Sequence, residues 1–291
     1  MSVKEDFFVY VQNNCGNPES GTATSYRTAL NKLTTVFSSV KPKWGSIYDV
    51  WKLNKVSEIM ALYKKVKEEQ DKFKKGLPSV FNSHKGLGDS YYRKGWCSAA
   101  LRFFAQFRAA ETCSPKFDEL IDSLGDGEEV AKKAKKIKIS AMVESLIPDG
   151  IDVATVEGKE IVREVKQRVN QDQFRRWMLK IYSGKCCVTG LDIPELLRAS
   201  HIRSWSEDKT NRLNPENGLC LSATYDAAFD KHLISFDDDY RLIVSKNIKD
   251  HYTNAVAKSY FKAREGQKLS LPIKFAPSLV LLEKHRKKMV V

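Results

Sequence analysis

Several things are scarce in this chain, and each scarcity narrows what it can be. No stretch of about 18 or more consecutive apolar residues occurs, so no membrane-spanning helix is expected. The opening Met1-Ser2-Val3-Lys4-Glu5-Asp6 lacks the charged-then-apolar pattern of a secretory signal, and the cytoplasm is the expected compartment. Cysteine is limited to six residues in 291, without regular spacing. That pattern reads as reduced thiols rather than a disulfide framework. No Cys-x-x-Cys is present, since Cys186 and Cys187 are adjacent and Cys220 stands alone, so no structural zinc is expected. Cys187 and Cys220 are expected to pack as small buried hydrophobes.

Positive charge is abundant. Lys and Arg number 49 against 36 Asp and Glu, a formal net charge of +13. Both halves of the chain share the excess. A polyanionic partner is the expectation, because neutralising phosphates releases counterions and supplies most nonspecific nucleic-acid affinity. With 42% hydrophobic and 29% charged residues, the chain otherwise suits a globular protein of one or two domains.

Residues 1–115 read as a helical N-terminal domain for target or partner recognition. Tyr26, Leu30, Leu33 and Phe37 recur at helical spacing, as do Val56, Ile59, Met60, Tyr63 and Val66, and then Trp96, Ala100, Phe103, Phe104 and Phe107. The second of these helices carries a lysine-rich opposite side, from Lys64 to Lys75, that could grip DNA. Lys41 to Gly45 and Gly86 to Asp89 read as turns. Residues 116–165 read as a connector, with a break at Gly125 to Glu129, a lysine run from Lys132 to Lys138 and a turn at Pro148-Asp149-Gly150. Residues 166–291 are the third region. Gln173 to Ile181 reads as a helix and Gly184 to Gly190 as a strand-like run. Gly218 to Leu221 is a short apolar strand, Thr224 to Lys231 a helix. Ile234 to Phe236 and Leu242 to Val244 form a hairpin.

The chemistry concentrates between His201 and Asp230. Hydrolysing a phosphodiester needs a base for water, a cation to offset charge on the phosphate, and a stabilised leaving oxygen. His201 can serve as base, because imidazole is substantially neutral near pH 7. Asp226 and Asp230, four apart on a helix, can turn both carboxylates to one pocket and suit Mg²⁺ or Mn²⁺. Asn217 has an amide that can lock a loop by both donating and accepting hydrogen bonds. Arg175, Arg203, Arg212 and Lys231 are candidate phosphate contacts. His232 is a weaker candidate, with a surface position the plainer reading, and His84, His251 and His285 have no partners in the pattern.

Taken in order, the pieces are Arg168-x-x-Gln171-x-x-Phe174-Arg175, Cys187-Val188-Thr189-Gly190, Ala199-Ser200-His201-Ile202, Arg212-Leu213-Asn214-Pro215-x-Asn217-Gly218-Leu219 and Asp226-x-x-Phe229-Asp230. About a quarter of the chain, from Arg168 to Ser245, thus resembles the HNH endonuclease family, in particular its restriction-type members. The resemblance implies an α+β protein whose C-terminal part is a ββα-metal nuclease domain: two antiparallel strands and a helix around one divalent cation. It implies that His201 is the general base, that Asn217 holds the loop that aims it, and that Asp226 stands where the family's last His binds metal. Asp230 falls where some members place a further His near the scissile phosphate. Many members carry Asp directly before the base, whereas this chain has Ser200, and Asp230 is the candidate to complete the coordination. The implied function is a Mg²⁺- or Mn²⁺-dependent endonuclease acting on double-stranded DNA in restriction or anti-phage defence. The alternative is a noncatalytic DNA-binding or adaptor protein on a decayed HNH scaffold. Cutting both strands with single-site subunits calls for two sites, so a homodimer is an expectation from symmetry.

Overall fold

A computed structural model describes residues 2–15, 21–40, 49–82, 89–137, 146 and 156–289. The turns read at 41–45, 86–88 and 148–150, together with Lys138 and His84, lie outside the described residues. The chain divides into two compact units, one built from 1–114 and 138–172, the other from 115–137 and 173–291.

The first unit is helical. It holds α1 (Val3–Asn14), α2 (Thr22–Val40), α3 (Val56–Lys74) and α4 (Asp89–Arg93), and shares α5 (Trp96–Ser123) and α7 (Val156–Ile181) with the second. The apolar positions read from the spacing do form its core: Leu30, Leu33, Phe37, Ile59, Met60, Tyr63, Val66, Ala100, Phe104 and Phe107 are buried. Phe7 of α1 meets Trp51, Phe104 and Phe107 edge-on, with ring centroids 5.5–5.8 Å apart. The buried amide of Gln70 donates to the Tyr92 carbonyl at 2.8 Å and accepts from the Ser98 amide at 3.1 Å, which ties α3 to the α4–α5 turn.

The second unit mixes helices with two small sheets. Strands β1 (Leu197–His201) and β2 (Gly218–Ser222) pair antiparallel, with His201 opposite Gly218 and Leu197 opposite Ser222. Helix α8 (Ala223–Asp230) follows β2 at once and buries Tyr225, Ala228 and Phe229. Strands β3 (Ile234–Phe236) and β4 (Leu242–Val244) form the expected hairpin. Short helices α9 (Lys246–Lys249) and α10 (Ala255–Tyr260) lead to α11 (Leu279–Arg286). Helix α6 (Gly127–Ala134), in the stretch read as a connector, starts at an Asp126 cap whose side chain accepts the Glu129 amide.

Two elements differ from the sequence reading. The helix expected at Gln173 to Ile181 begins at Val156, because the preceding turns hold good helix formers and no proline. The run Gly184 to Gly190 forms turns instead of a strand. Gly184 (φ 66°) and Gly190 (φ 72°) both take left-handed backbone, and the Gly190 amide returns to the Cys186 carbonyl at 2.8 Å. Cys187 still reaches the sheet, donating to the Cys220 carbonyl at 2.8 Å. Cys186, Cys187 and Cys220 are all buried, and burial pushes the Cys220 thiol up to about 12. Among the described residues no helix is long and apolar enough to cross a membrane.

Candidate active site

Strand alternation separates the last two residues of β1. Ser200 and His201 are neighbours in sequence, so their side chains leave opposite faces of the ribbon. On one face the Ser200 hydroxyl, fully buried, donates to the Asp226 carboxylate of α8. On the other, the His201 ring stacks on Phe174 of α7, with centroids 3.7 Å apart and planes 14° apart. Gly218, opposite His201, makes room for this stack. A Cβ there would lie 2.3 Å from Met178 Sδ and 2.6 Å from Phe174 Cζ.

The remaining contacts of His201 fix its proton. Its Nε2 lies 3.0 Å from the Arg212 carbonyl oxygen. A carbonyl only accepts, so Nε2 carries the hydrogen and the neutral ring keeps its lone pair on Nδ1. Burial pushes the His201 pKa down to about 4; the Arg212 carbonyl works against that shift and the Arg212 charge adds to it. Trp205 closes the edge of the ring at 5.5 Å and 82°. Arg212 is itself anchored to Trp205, donating from Nε to the Trp205 carbonyl at 2.6 Å with its guanidinium 5.1 Å from the ring centroid. The carbonyl that orients His201 is therefore held by the same tryptophan that covers it.

Asn217, fully buried, clamps the loop between the strands. Its Oδ1 accepts from the Arg203 amide at 2.8 Å, and its Nδ2 donates to the carbonyls of Arg203 and Asn211, both at 3.1 Å. Asp208 stiffens the far end by accepting from the amides of Thr210 and Asn211. Helix α6 supports the clamp from outside: the Gly127 amide donates to Glu216 Oε1 at 3.1 Å, and Lys135 donates to the Thr210 carbonyl at 3.1 Å.

The carboxylates of α8 sit one turn apart. Burial raises the Asp226 pKa, opposed by the Ser200 hydroxyl and by the charges of Arg198 and Arg175. Asp230 reaches the surface, yet the protein around its carboxylate and the Asp226 charge push it up to about 6. Asp230, raised by the Asp226 charge, forms with it an oxygen-donor pair that a cation would relieve. Among the described residues no three His, Cys, Asp or Glu side chains gather as a metal-holding group.

The basic residues singled out in the sequence divide by what they touch. Arg175 is buried and donates to the carbonyls of Leu197 at 2.7 Å and Pro194 at 3.0 Å, so it braces the start of β1. Arg212 orients the His201 loop. Arg203 lies 3.5 Å from Glu207, and Lys231 is exposed just beyond α8. Sequence spacing did not find the cluster of His232, Ser235 and His285. His285 stacks on Phe229 at 3.8 Å and sits 3.0 Å from His232. No local pattern signals it, because His285 lies more than fifty positions downstream of His232.

Residues 186–237 match the family model described as HNH endonuclease, so this C-terminal segment is similar to that family, which suggests a nuclease. The segment spans the whole of β1, β2, α8 and β3. A search of curated proteins finds no match to the chain.

Proposed function

We propose that the chain is a metal-dependent DNA endonuclease, with His201 as the base that takes a proton from water. One observation carries this reading: His201 donates from Nε2 to the Arg212 carbonyl, which leaves Nδ1 free to accept a proton. Its low pKa keeps it neutral at pH 7 in the free protein. An incoming phosphate favours the imidazolium by its negative charge, so basicity rises as substrate arrives. Asn217 and Trp205 hold the ring and its loop, so little reorganisation is left for the reacting complex.

Asp226 and Asp230 are the residues that would hold the cation, with water and phosphate oxygens filling the rest of its shell. The donor set fits: both are hard oxygen ligands and both have raised pKa values that a positive charge would reverse. Mg²⁺ or Mn²⁺ bound there would offset charge on the phosphate and on the leaving oxygen. Ser200 holds Asp226 in place through its hydroxyl. The net charge of +13 supports a double-stranded DNA partner. Restriction or anti-phage defence is the setting we propose, with the helical unit recognising the target and a dimer cutting both strands.

A second reading is favoured by one observation, that Ser200 supplies a hydroxyl where a carboxylate would complete a three-ligand set. On that reading the fold binds DNA without cutting it. Incubation of the purified chain with duplex DNA and Mn²⁺ separates the two. Cutting that is lost in His201→Ala, with binding retained, supports the nuclease; equal cutting by His201→Ala removes the base assignment. A lack of both cutting and Mn²⁺-dependent thermal stabilisation supports the binding protein.

A further inference from the structure

The loop after His201 and the tail after α11 bring two cations to one carboxylate. Glu207 Oε1 lies 2.6 Å from Lys288 Nζ, and Glu207 Oε2 lies 3.5 Å from Arg203. Each oxygen of the carboxylate faces its own positive group, as two non-bridging oxygens of a phosphate would. Arg203, through its backbone amide on Asn217, belongs to the loop that carries the base.

His232 is the third member. It follows Asp230 by two residues and holds a left-handed backbone, φ 54°, which a residue with a Cβ seldom adopts. Its side chain is fixed by a buried relay. His285 Nε2 lies 3.0 Å from the Phe229 carbonyl, and His285 Nδ1 lies 2.9 Å from Ser235 Oγ. The carbonyl accepts, so His285 Nε2 carries hydrogen, and Nδ1 accepts from the serine. His232 Nδ1, 3.0 Å from that same Nε2, shares its hydrogen as a second acceptor, so the donor edge of His232 is Nε2. The same His285 ties the relay to the tail, because its carbonyl accepts from the Lys288 amide at 3.1 Å. The backbone strain and the relay serve one side chain at the border of the site, and neither is needed to pair two surface ions.

We infer that Arg203, His232 and Lys288 form a backbone-phosphate subsite flanking the cut, and that Glu207 occupies it in the free protein as a stand-in for the phosphate. Duplex DNA displaces Glu207, and Lys288 and Arg203 transfer from its carboxylate to the phosphate. The inference rests on the DNA reading above and adds to it Lys288, a self-blocking carboxylate and a structural reason for His232.

The test is binding of the full chain to a mixed-sequence duplex of about 20 base pairs in EDTA, as a function of salt, since the affinity slope counts phosphates neutralised. Glu207→Gln removes the stand-in and is expected to bind about 3- to 10-fold more tightly at ~0.1 M salt, with a log–log slope steeper by about 1. Lys288→Gln in the Glu207→Gln background is expected to cancel the gain. His232→Asn, chosen because asparagine tolerates left-handed backbone, is expected to weaken binding by a few-fold without a change of slope. Thermal unfolding of each variant reports whether it is folded. If the wild type binds and Glu207→Gln binds equally or more weakly, the subsite is overturned and the DNA reading stands. If no folded variant binds duplex, both fall together.

Discussion

The Ser200 hydroxyl donates to the carboxylate of Asp226, joining the residue before His201 to the middle of α8. Because β1 alternates, this bond and the His201 stack on Phe174 lie on opposite faces of the same two-residue step. Ser200→Asp puts a third carboxylate beside Asp226 and Asp230. Without metal, repulsion should lower the melting temperature. With Mn²⁺ the order should reverse, and affinity should rise about tenfold, since ligand charge sets affinity for hard cations. Calorimetric titration with Mn²⁺ checks this; unchanged affinity would mean that Ser200 does not face the cation.

Asn217 makes three buried hydrogen bonds with its amide. Asn217→Asp keeps the acceptor for Arg203 and loses both donors, leaving the carbonyls of Arg203 and Asn211 facing a carboxylate. The expected cost is roughly 2–4 kcal/mol of stability. Cleavage should be lost even where the variant is folded, because the loop that presents the Arg212 carbonyl to His201 is released. Urea unfolding and single-turnover cleavage read the two effects separately.

Gly127 meets the same loop from α6. A Cβ there would lie 2.2 Å from Asn214 Oδ1 and 2.8 Å from Glu216 Cγ, and neither side chain can withdraw without losing a bond. Gly127→Ala is expected to destabilise by about 1–3 kcal/mol through overpacking. It should lower the cleavage rate more than DNA affinity. Asn214→Ala removes the tightest of these contacts, and in that background Gly127→Ala should cost less, which a double-mutant cycle measures.

The two buried histidines should withdraw stability as pH drops from about 6.5 toward 4, against the opposite contribution of Asp230 and Asp226, whose raised pKa values add stability on acidification. His201 and His285 both have native pKa values near 4, set mainly by burial. For His285 the charges of His232, Lys288 and Arg203 push the same way, and the Phe229 carbonyl opposes them. In that window the unfolded chain binds protons that the native one refuses. Stability is therefore present above the unfolded value and lost on acidification, by at most about 1.4 kcal/mol per pH unit for each histidine. Denaturant midpoints between pH 7 and 4.5 read the slope. His285→Gln should flatten it by one proton.

Much of the site could be read from local order. The Asp226–Asp230 pair falls on the helix read at Thr224 to Lys231, and β3 and β4 pair as the hairpin read from their alternation. Contacts between distant positions could not be read. The relay of His232 with His285, and the support of Glu216 by Gly127, depend on tertiary packing that leaves no period in the sequence. Arg175 shows a different limit. Its charge suggested phosphate, but its burial turns its donors to the carbonyls of Pro194 and Leu197, and residue type alone does not distinguish the two uses.

The path of the chain has a consequence for how the protein can be taken apart. Residues 115–137, including α6, belong with 173–291, while 138–172 belong with 1–114. The polypeptide therefore passes from one unit to the other three times. No single cut, by a protease or in a gene, yields the two units as separate intact pieces. A fragment beginning at Gln173 would keep His201, Asn217 and both aspartates and still lack the α6 glycine on which the Asn217 loop rests.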